Sequence, residues 1–595
     1  MTGCRFCLGL VFSAAALSVW AVDEREWGAI GKADAAGWLE PLELPKGEDR
    51  VLAEFDDKIK GVVTNAVGYV RGEFEFDPAD MTKKPGGYVE FYLDGVKGML
   101  NGSYNRSCPA DGRVVTRGIL AMDRGTRATW GVLKPDGERE RVAPLRGRLV
   151  STAQTAALRL PEDGARLNDN TPDFVWYTDD PQDVVLELSD DCAFPPGYTL
   201  KRVCTNDLPF FTAESPLKPG RWYWRVTTAS GFVTPVRSFV QTASAADDCT
   251  GPELHCAPRF MPDAAKPYGF TVGSDTVRVT ARIVLSGGGE TGLDARCRGT
   301  VAGVRPPQGG WPIGVSRLLL TAEDKRGNTA RATAWVSHAP NLPQVRWGGE
   351  GEAVTVGGRP FELVALYGVD REDDLDRVRA LGFNCVHSYA RDGAVMNGRI
   401  AAFLDAVEVR GMKTYVSFHR EDVRRARYSR IAEKIGFYLP RRCLLAWYLS
   451  DEPETHDFRP VPPGVFKRYR DFVRALDPTR PGLLTHNIVS CGAQRYLDCK
   501  DVHLSQLYRA TVKDAEARYK GHRKWLDASE PSLKYSIIVN PRAAKSAEDF
   551  AAQIDYARQN GCGVFVYAWF EALRNKETMS KLEEGMSGNR GGKKR

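Results

Sequence analysis

The feature that most constrains this chain is a change of period near residue 351. From there to about residue 580, short apolar runs alternate with stretches of helical spacing, eight times over. The apolar runs lie at 361–368, 383–389, 413–419, 444–450, 482–488, 502–508, 535–540 and 563–569. Between them Leu375, Val378 and Leu381 recur at helical spacing and stop at Gly382; Ile400, Phe403, Leu404 and Val407 do the same and stop at Gly411. Ile431 and Ile435 mark a further helix, and Ser546 with Asp549 three residues on makes a capping box for the last one. Eight strands alternating with helices in about 230 residues predict a (β/α)8 TIM barrel over 351–580. A doubly wound open sheet is disfavoured, because no Gly-rich phosphate loop follows the first strand.

The region before the barrel reads differently. It carries alternating strand patterns and turn residues, with no helix of useful length, and predicts three β-sandwich modules at 46–150, 155–245 and 247–338. In the second, the turn at Pro219-Gly220 leads into a strand on which Trp222, Trp224 and Val226 share one face. That segment resembles fibronectin type III-like modules, and its tryptophans read as core. In the third, Asp324, Gly327 and Asn328 suit a hairpin turn, because each tolerates unusual backbone angles. That run resembles the last hairpin of bacterial immunoglobulin-like domains. A Pro-rich hinge at 339–343 closes the β-rich part.

Export is read from the first residues. Arg5 precedes an apolar run from Phe6 to Ala21, and Asp23, Glu24, Arg25 and Glu26 follow at once. This predicts a signal peptide over 1–21, since the run is shorter than the roughly 20 apolar residues of a membrane span. No later segment is long and apolar enough to span, so the expected location is periplasmic, cell-surface or extracellular. Two of the 13 cysteines fall in the leader, and the remaining eleven are an odd number, leaving at least one thiol. Cys192 with Cys204, Cys249 or Cys256 with Cys297, and Cys491 with Cys499 are plausible bridges in an oxidising compartment. The net charge of +6 is small for 595 residues, and part of it lies in a basic tail at 581–595 that is expected to be unstructured. No concentrated basic face suggests a nucleic-acid partner.

In a parallel barrel the strand C-termini converge on one face, so the residues closing each strand form the candidate site. These are Asp370, Tyr389, His419, Asp451, Glu452, His486, Asn487, Tyr508, Asn540 and Trp569, with Glu571 just beyond. Polar and aromatic ends above apolar strand interiors point to a ligand. If Glu452 faces inward, parity puts Ala446, Tyr448 and Ser450 inside and Leu445, Trp447 and Leu449 against the helices. The bland alternative for Glu452 is an ion pair with Arg441 or Arg442. His387, His419 and His486 come singly, without a His-x-His or Glu-x-x-His pattern, which suits hydrogen bonding to hydroxyls better than a metal.

The run Ser450-Asp451-Glu452-Pro453, the lead-in Gly357-Gly358-Arg359-Pro360-Phe361 and Leu381-Gly382-Phe383-Asn384 together resemble the clan A glycoside hydrolases. That resemblance implies a glycosidase acting on a poly- or oligosaccharide without a cofactor. It implies Glu452 as general acid/base, Tyr508 as a tyrosine near the nucleophile and Trp569 as a sugar-stacking ring. Two positions depart from the pattern. Asp451 replaces the family's Asn, and the seventh strand ends in Asn540 where the nucleophilic Glu belongs. Retaining hydrolysis needs a second carboxylate about 5–5.5 Å from the first, inversion a wider gap. Glu571, Asp370 or Glu454 are the candidates, and a carbohydrate-binding or adhesion protein that has lost hydrolysis is the alternative.

Overall fold

The computed structural model describes most of residues 50–588; residues 1–49, 76–87, 102–112, 390–397, 454–460, 487–495 and 589–595 are the longer stretches outside that description. The expected signal peptide, Asn487 and Glu454 therefore lie outside the described residues.

The first part is sheet-rich. Arg50–Asp56, Arg146–Ser151, Val67–Glu75 and Arg113–Ala121 form one antiparallel sheet, and Thr126–Leu133, Tyr88–Leu93 and Val96–Asn101 belong to another. Residues 156–241 form a three-stranded and a five-stranded sheet around one core. Trp222, Trp224 and Val226 share its buried face, with Trp224 edge-on to Phe174 at 5.2 Å. Residues 254–338 form a four-stranded and a five-stranded sheet around a second core. Their long hairpin, Gly314–Asp324 with Thr329–His338, turns as expected. The Asp324 carboxylate accepts from Arg326 N at 2.8 Å and Asn328 N at 2.9 Å, and Gly327 takes φ 85°.

The expected hinge is instead a fixed junction. Ser337 Oγ donates to Leu476 O at 2.6 Å, and Val345 N to Thr479 O at 2.8 Å. Trp335 lies edge-on to Phe472 at 5.2 Å, and Ala339 is buried in the same core. Two of the proposed disulfide pairings do not form. Cys192 is an exposed thiol, so it is not bridged to Cys204, and Cys297 is a thiol as well.

The barrel closes as predicted. Its strands are β1 (Val364–Leu366), β2 (Cys385–Val386), β3 (Lys413–Ser417), β4 (Leu444–Asp451), β5 (Gly482–Thr485), β6 (Val502–Gln506), β7 (Lys534–Val539) and β8 (Val564–Val566), all parallel, with β8 pairing back onto β1. Around them run α1 (Leu375–Ala380), α2 (Gly398–Val409), α3 (Arg420–Arg424), α4 (Tyr428–Tyr438), α5 (Pro463–Leu476), α6 (Val512–Asp527), α7 (Ala547–Asn560), α8 (Trp569–Arg574) and α9 (Lys576–Gly588). Ser546 caps α7 by accepting from Asp549 N at 3.1 Å. The tail expected from residue 581 is helical to Gly588, because Leu582 and Met586 are buried in the core between barrel and helices.

Two apolar layers hold the barrel. Leu444, Trp447, Leu449, Leu484, Ile537, Val564 and Val566 face the helices, while Leu445, Ala446, Tyr448, Leu483, Val502, Leu504, Ile538 and Phe565 fill the interior. The hairpin Val354–Val356 with Arg359–Phe361 closes the N-terminal end. Val345, Trp347 and Val354 join the interior core there, and Trp347 Nε1 donates to Ser536 Oγ at 2.9 Å. The opposite end is therefore the face left for a ligand.

Candidate active site

β4 does not keep the simple alternation expected of it. Its register slips against β3 between Thr414 and Tyr415 and against β5 between Tyr448 and Ser450. The first irregularity turns Leu445 into the interior beside Ala446, correcting the expectation that it faces the helices. The second pairs Ser450 with outward Leu484, and Asp451 with Thr485. Thr485 faces inward, since its Oγ1 lies 2.9 Å from the hydroxyl of interior Tyr448. A bulge adds one residue and reverses parity beyond it. Asp451 therefore sits on the inner face, and Ser450 does not.

Glu452 reaches the mouth by a different device. Its φ is 49°, a left-handed conformation uncommon outside glycine and worth of order 1–3 kcal/mol when imposed on such a residue. Its N–H donates to Thr485 O at 2.9 Å, which ties the turn to β5. The side chain crosses to β6, where Gln506 Nε2 donates to Glu452 Oε1 at 3.1 Å. Arg441 pairs instead with Asp405, and Lys413 Nζ donates to the carbonyl of Arg442 at 2.8 Å. Arg441 is thus committed to Asp405.

The two carboxylates overlie aromatic rings. Tyr389 donates its hydroxyl to Asp451 Oδ2 at 3.2 Å and stacks on Tyr367 at 6.0 Å. Tyr367 also contacts Tyr415, Tyr448 and Tyr567, at 5.4, 5.8 and 5.8 Å between ring centroids. Tyr508 lies 5.7 Å from Tyr567. Burial first, then the negative charge of Asp451, pushes the hydroxyls of Tyr367, Tyr389, Tyr448 and Tyr508 well above the ordinary tyrosine value, and Tyr508 also feels Glu452. No cation pairs with Asp451 among the described residues. His387, beneath this layer, lies close to Ser417 Oγ through Nε2, and burial, with the charge of Lys434 second, lowers its pKa to about 3.

Phe570 and Gly368 complete the far side. A Cβ on Gly368, at φ 76°, would collide with the Phe570 ring, so the bare backbone after β1 is what lets that ring lie against it. Phe570 stands 6.4 Å from Tyr389 and 5.9 Å from Tyr567. In strand order β8 and β1 lie opposite β4, so these rings face the carboxylates across the opening.

The other sequence-predicted residues lie as follows. His419 is exposed where β3 passes into α3. His486 is fully buried on the helix side of β5, 2.8 Å from Lys500 Nζ and stacked on His503 at 5.6 Å. Asn540 is 7% exposed, and its Oδ1 accepts from Arg542 N at 2.8 Å, closing a turn after β7. Trp569 is 1% exposed in the core between barrel and helices, with the Arg377 guanidinium 5.3 Å over its ring. β8 stops at Val566 and α8 begins at Trp569, which carries the indole away from the mouth. Glu571 pairs with Arg542 at 3.4 Å, and Asp370 accepts from Ser388. Gln506, Tyr567 and Phe570 were missed. Alternation through Val502, Leu504 and Gln506 would have found the first. Among the described residues no group of three or more His, Cys, Asp or Glu is disposed to hold a metal.

No family model matches the chain, and no curated protein is similar to it. Solved structures to which the chain is similar include three glycoside hydrolases. A GH2 β-galacturonidase from Eisenbergiella tayi bound to galacturonate is 11% identical, with 91% of this chain and 89% of that chain covered and a TM-score of 0.32. An FMN-binding β-glucuronidase from Facaelibacterium prausnitzii L2-6 is 12% identical over 87% of this chain and 72% of its own, TM-score 0.30. A Ruminococcus gnavus β-glucuronidase is 12% identical over 84% and 82%, TM-score 0.29. At these scores the likeness carries no argument about activity or substrate, which rest on the residues above.

Proposed function

We propose that this chain is an exported glycoside hydrolase acting on a poly- or oligosaccharide, with Glu452 as its general acid/base. The observation that carries the reading is the delivery of the Glu452 carboxylate to the mouth of a closed parallel barrel, by a left-handed residue and a hydrogen bond from Gln506. A carboxyl group held at a strand end is suited to protonating a departing glycosidic oxygen. Tyr389, Tyr508, Tyr567 and Phe570 offer flat apolar faces of the kind that pack on sugar rings. Export rests on the leader at 1–21. The sheets at 46–150, 155–245 and 247–338 serve as β-sandwich modules, the second fibronectin type III-like and the third immunoglobulin-like, that present the barrel.

A second reading, a carbohydrate-binding or adhesion protein without hydrolysis, is favoured by one observation. Asn540 ends β7 in a closed turn, with no carboxylate there. Screening the full chain against a glycan panel for both binding and sugar release separates the two. The glycosidase reading expects release by the wild type, and binding without release by Glu452→Gln. Binding without release by the wild type would establish the second reading.

A further inference from the structure

The glycosidase reading leaves a chemical gap, since retention needs a nucleophile on the sugar face opposite the acid. Across the mouth from Glu452, the described residues closing β7 and β8 are Asn540, committed to its turn, and Tyr567, with Glu571 paired to Arg542. Asp451 is poorly placed for attack from that side. Its Cα is ~3.8 Å from that of Glu452, so both side chains leave one strand tip and meet a bound sugar from the same direction.

Asp451 is better suited to another task. The bulge in β4 turns it inward, Oδ2 receives the Tyr389 hydroxyl at 3.2 Å, and among the described residues no group donates to Oδ1. With no cation beside it among the described residues, and above a floor of tyrosines, this carboxylate has acceptor capacity to spare. The hydroxyl of Tyr367, 1% exposed and within reach of Asp451's charge, makes no hydrogen bond of good geometry among the described residues. An anionic acceptor beside a general acid would hold an amide N–H strongly, because hydrogen bonds to ionised groups are about twice as strong as neutral ones.

We infer that the substrate is a 2-acetamido-2-deoxy glycoside with the acetamido group trans to the leaving group, whose own carbonyl oxygen is the nucleophile. Asp451 accepts the acetamido N–H, and Glu452 acts first as acid and then as base. The inference rests on the glycosidase reading.

In the first step the Glu452 carboxylic acid gives its proton to the glycosidic oxygen. The C1–O bond breaks with its electron pair going to the departing alcohol, and the acetamido carbonyl oxygen bonds to C1 from the opposite face. The Asp451 carboxylate, accepting the N–H, offsets the positive charge of the resulting oxazolinium ring. In the second step the Glu452 carboxylate takes a proton from water, whose oxygen bonds to C1. The ring C1–O bond breaks, its electrons return to the carbonyl, and the sugar leaves with its anomeric configuration retained. One water is consumed, and Glu452 ends protonated as it began. Tyr389 is a positioning residue that keeps Asp451 turned toward the amide.

The test offers the full chain aryl 2-acetamido-2-deoxy-β-glycosides of the gluco and galacto series and the matching 2-hydroxy glycosides, with a sugar-fused thiazoline as inhibitor. Expected are turnover of an acetamido substrate, retained product, competitive inhibition by the thiazoline, and rates that fall as fluorines are added to the acetyl group. Asp451→Asn should cut kcat about 100-fold, of the order seen when one transition-state hydrogen-bond partner is lost, and weaken the thiazoline. The thiazoline and fluorination results on wild type keep the test decisive if the variant does not fold. Hydrolysis of 2-hydroxy glycosides alone overturns this inference and leaves the glycosidase reading intact. Binding without turnover of any glycan overturns both.

Discussion

The ends of β4 and β7 stand at different points of one barrel rim, and both close on a polar residue that looks site-directed in the sequence. They behave oppositely. At β4 a bulge and a left-handed residue bring Asp451 and Glu452 inward, where Tyr389 and Gln506 meet them. At β7 the ladder is regular to Val539, and Asn540 spends its side-chain oxygen on Arg542 N. A polar strand end becomes a site only when the backbone leaves its hydrogen-bonding capacity for a ligand.

Substitution at the two ends should therefore differ by orders of magnitude. The largest effect is expected from Glu452→Gln, which removes the transferable proton. kcat should fall about 100- to 10,000-fold, the usual contribution of general acid–base catalysis, with glycan affinity kept. Comparing turnover with binding on the same preparation checks it.

The next effect concerns histidines turned to the helix side. Burial, and secondarily the charge of Arg509, lowers His522 to about 4, and His486 and His503 are lowered as well. The fold binds the neutral form, so its contribution is intact above the unfolded value near 6.5 and is lost as pH falls from there toward 4. At about 1.4 kcal/mol per unit, His522 alone accounts for roughly 3 kcal/mol of acid destabilisation. Denaturant melts at pH 7.5 and pH 4.5 measure it, and His522→Leu should flatten the difference.

Gln506→Leu tests the support at β4 more finely. Losing the donor to the Glu452 carboxylate disfavours its ionised form. The alkaline limb of the rate profile should move to higher pH and kcat should drop about tenfold, within the range for a hydrogen bond to a charged group. A drop without movement of the limb would make Gln506 merely structural. The smallest effect should come from Asn540→Ala. One turn hydrogen bond is lost, about 1 kcal/mol of stability, with turnover little changed; a loss as large as that at Glu452 would erase the contrast between the strand ends.

Much of the barrel was legible, because the pattern of apolar runs and helical stripes is set by burial, which acts on every residue of an element. Each run contained a strand, and Ser546 capped the helix it was expected to cap. Strand ends were harder. Parity predicts direction only while the ladder is regular, so it misplaced Leu445 and could not foresee Asp451 turning inward. It also carried Trp569 into the mouth, where a helix start turned the indole into the core and left Tyr567 and Phe570 at the opening. His486 failed for a similar reason: one residue past inward Thr485, it faces the helices.

The most direct measurement is a crystal structure of the Glu452→Gln variant soaked with an oligosaccharide that the wild type cleaves. The account predicts a sugar ring over Tyr389 and Tyr508, with its glycosidic oxygen within hydrogen-bonding distance of residue 452. A ligand bound on the β-sheet region, or a residue 452 turned toward the helices with the mouth empty, would contradict it.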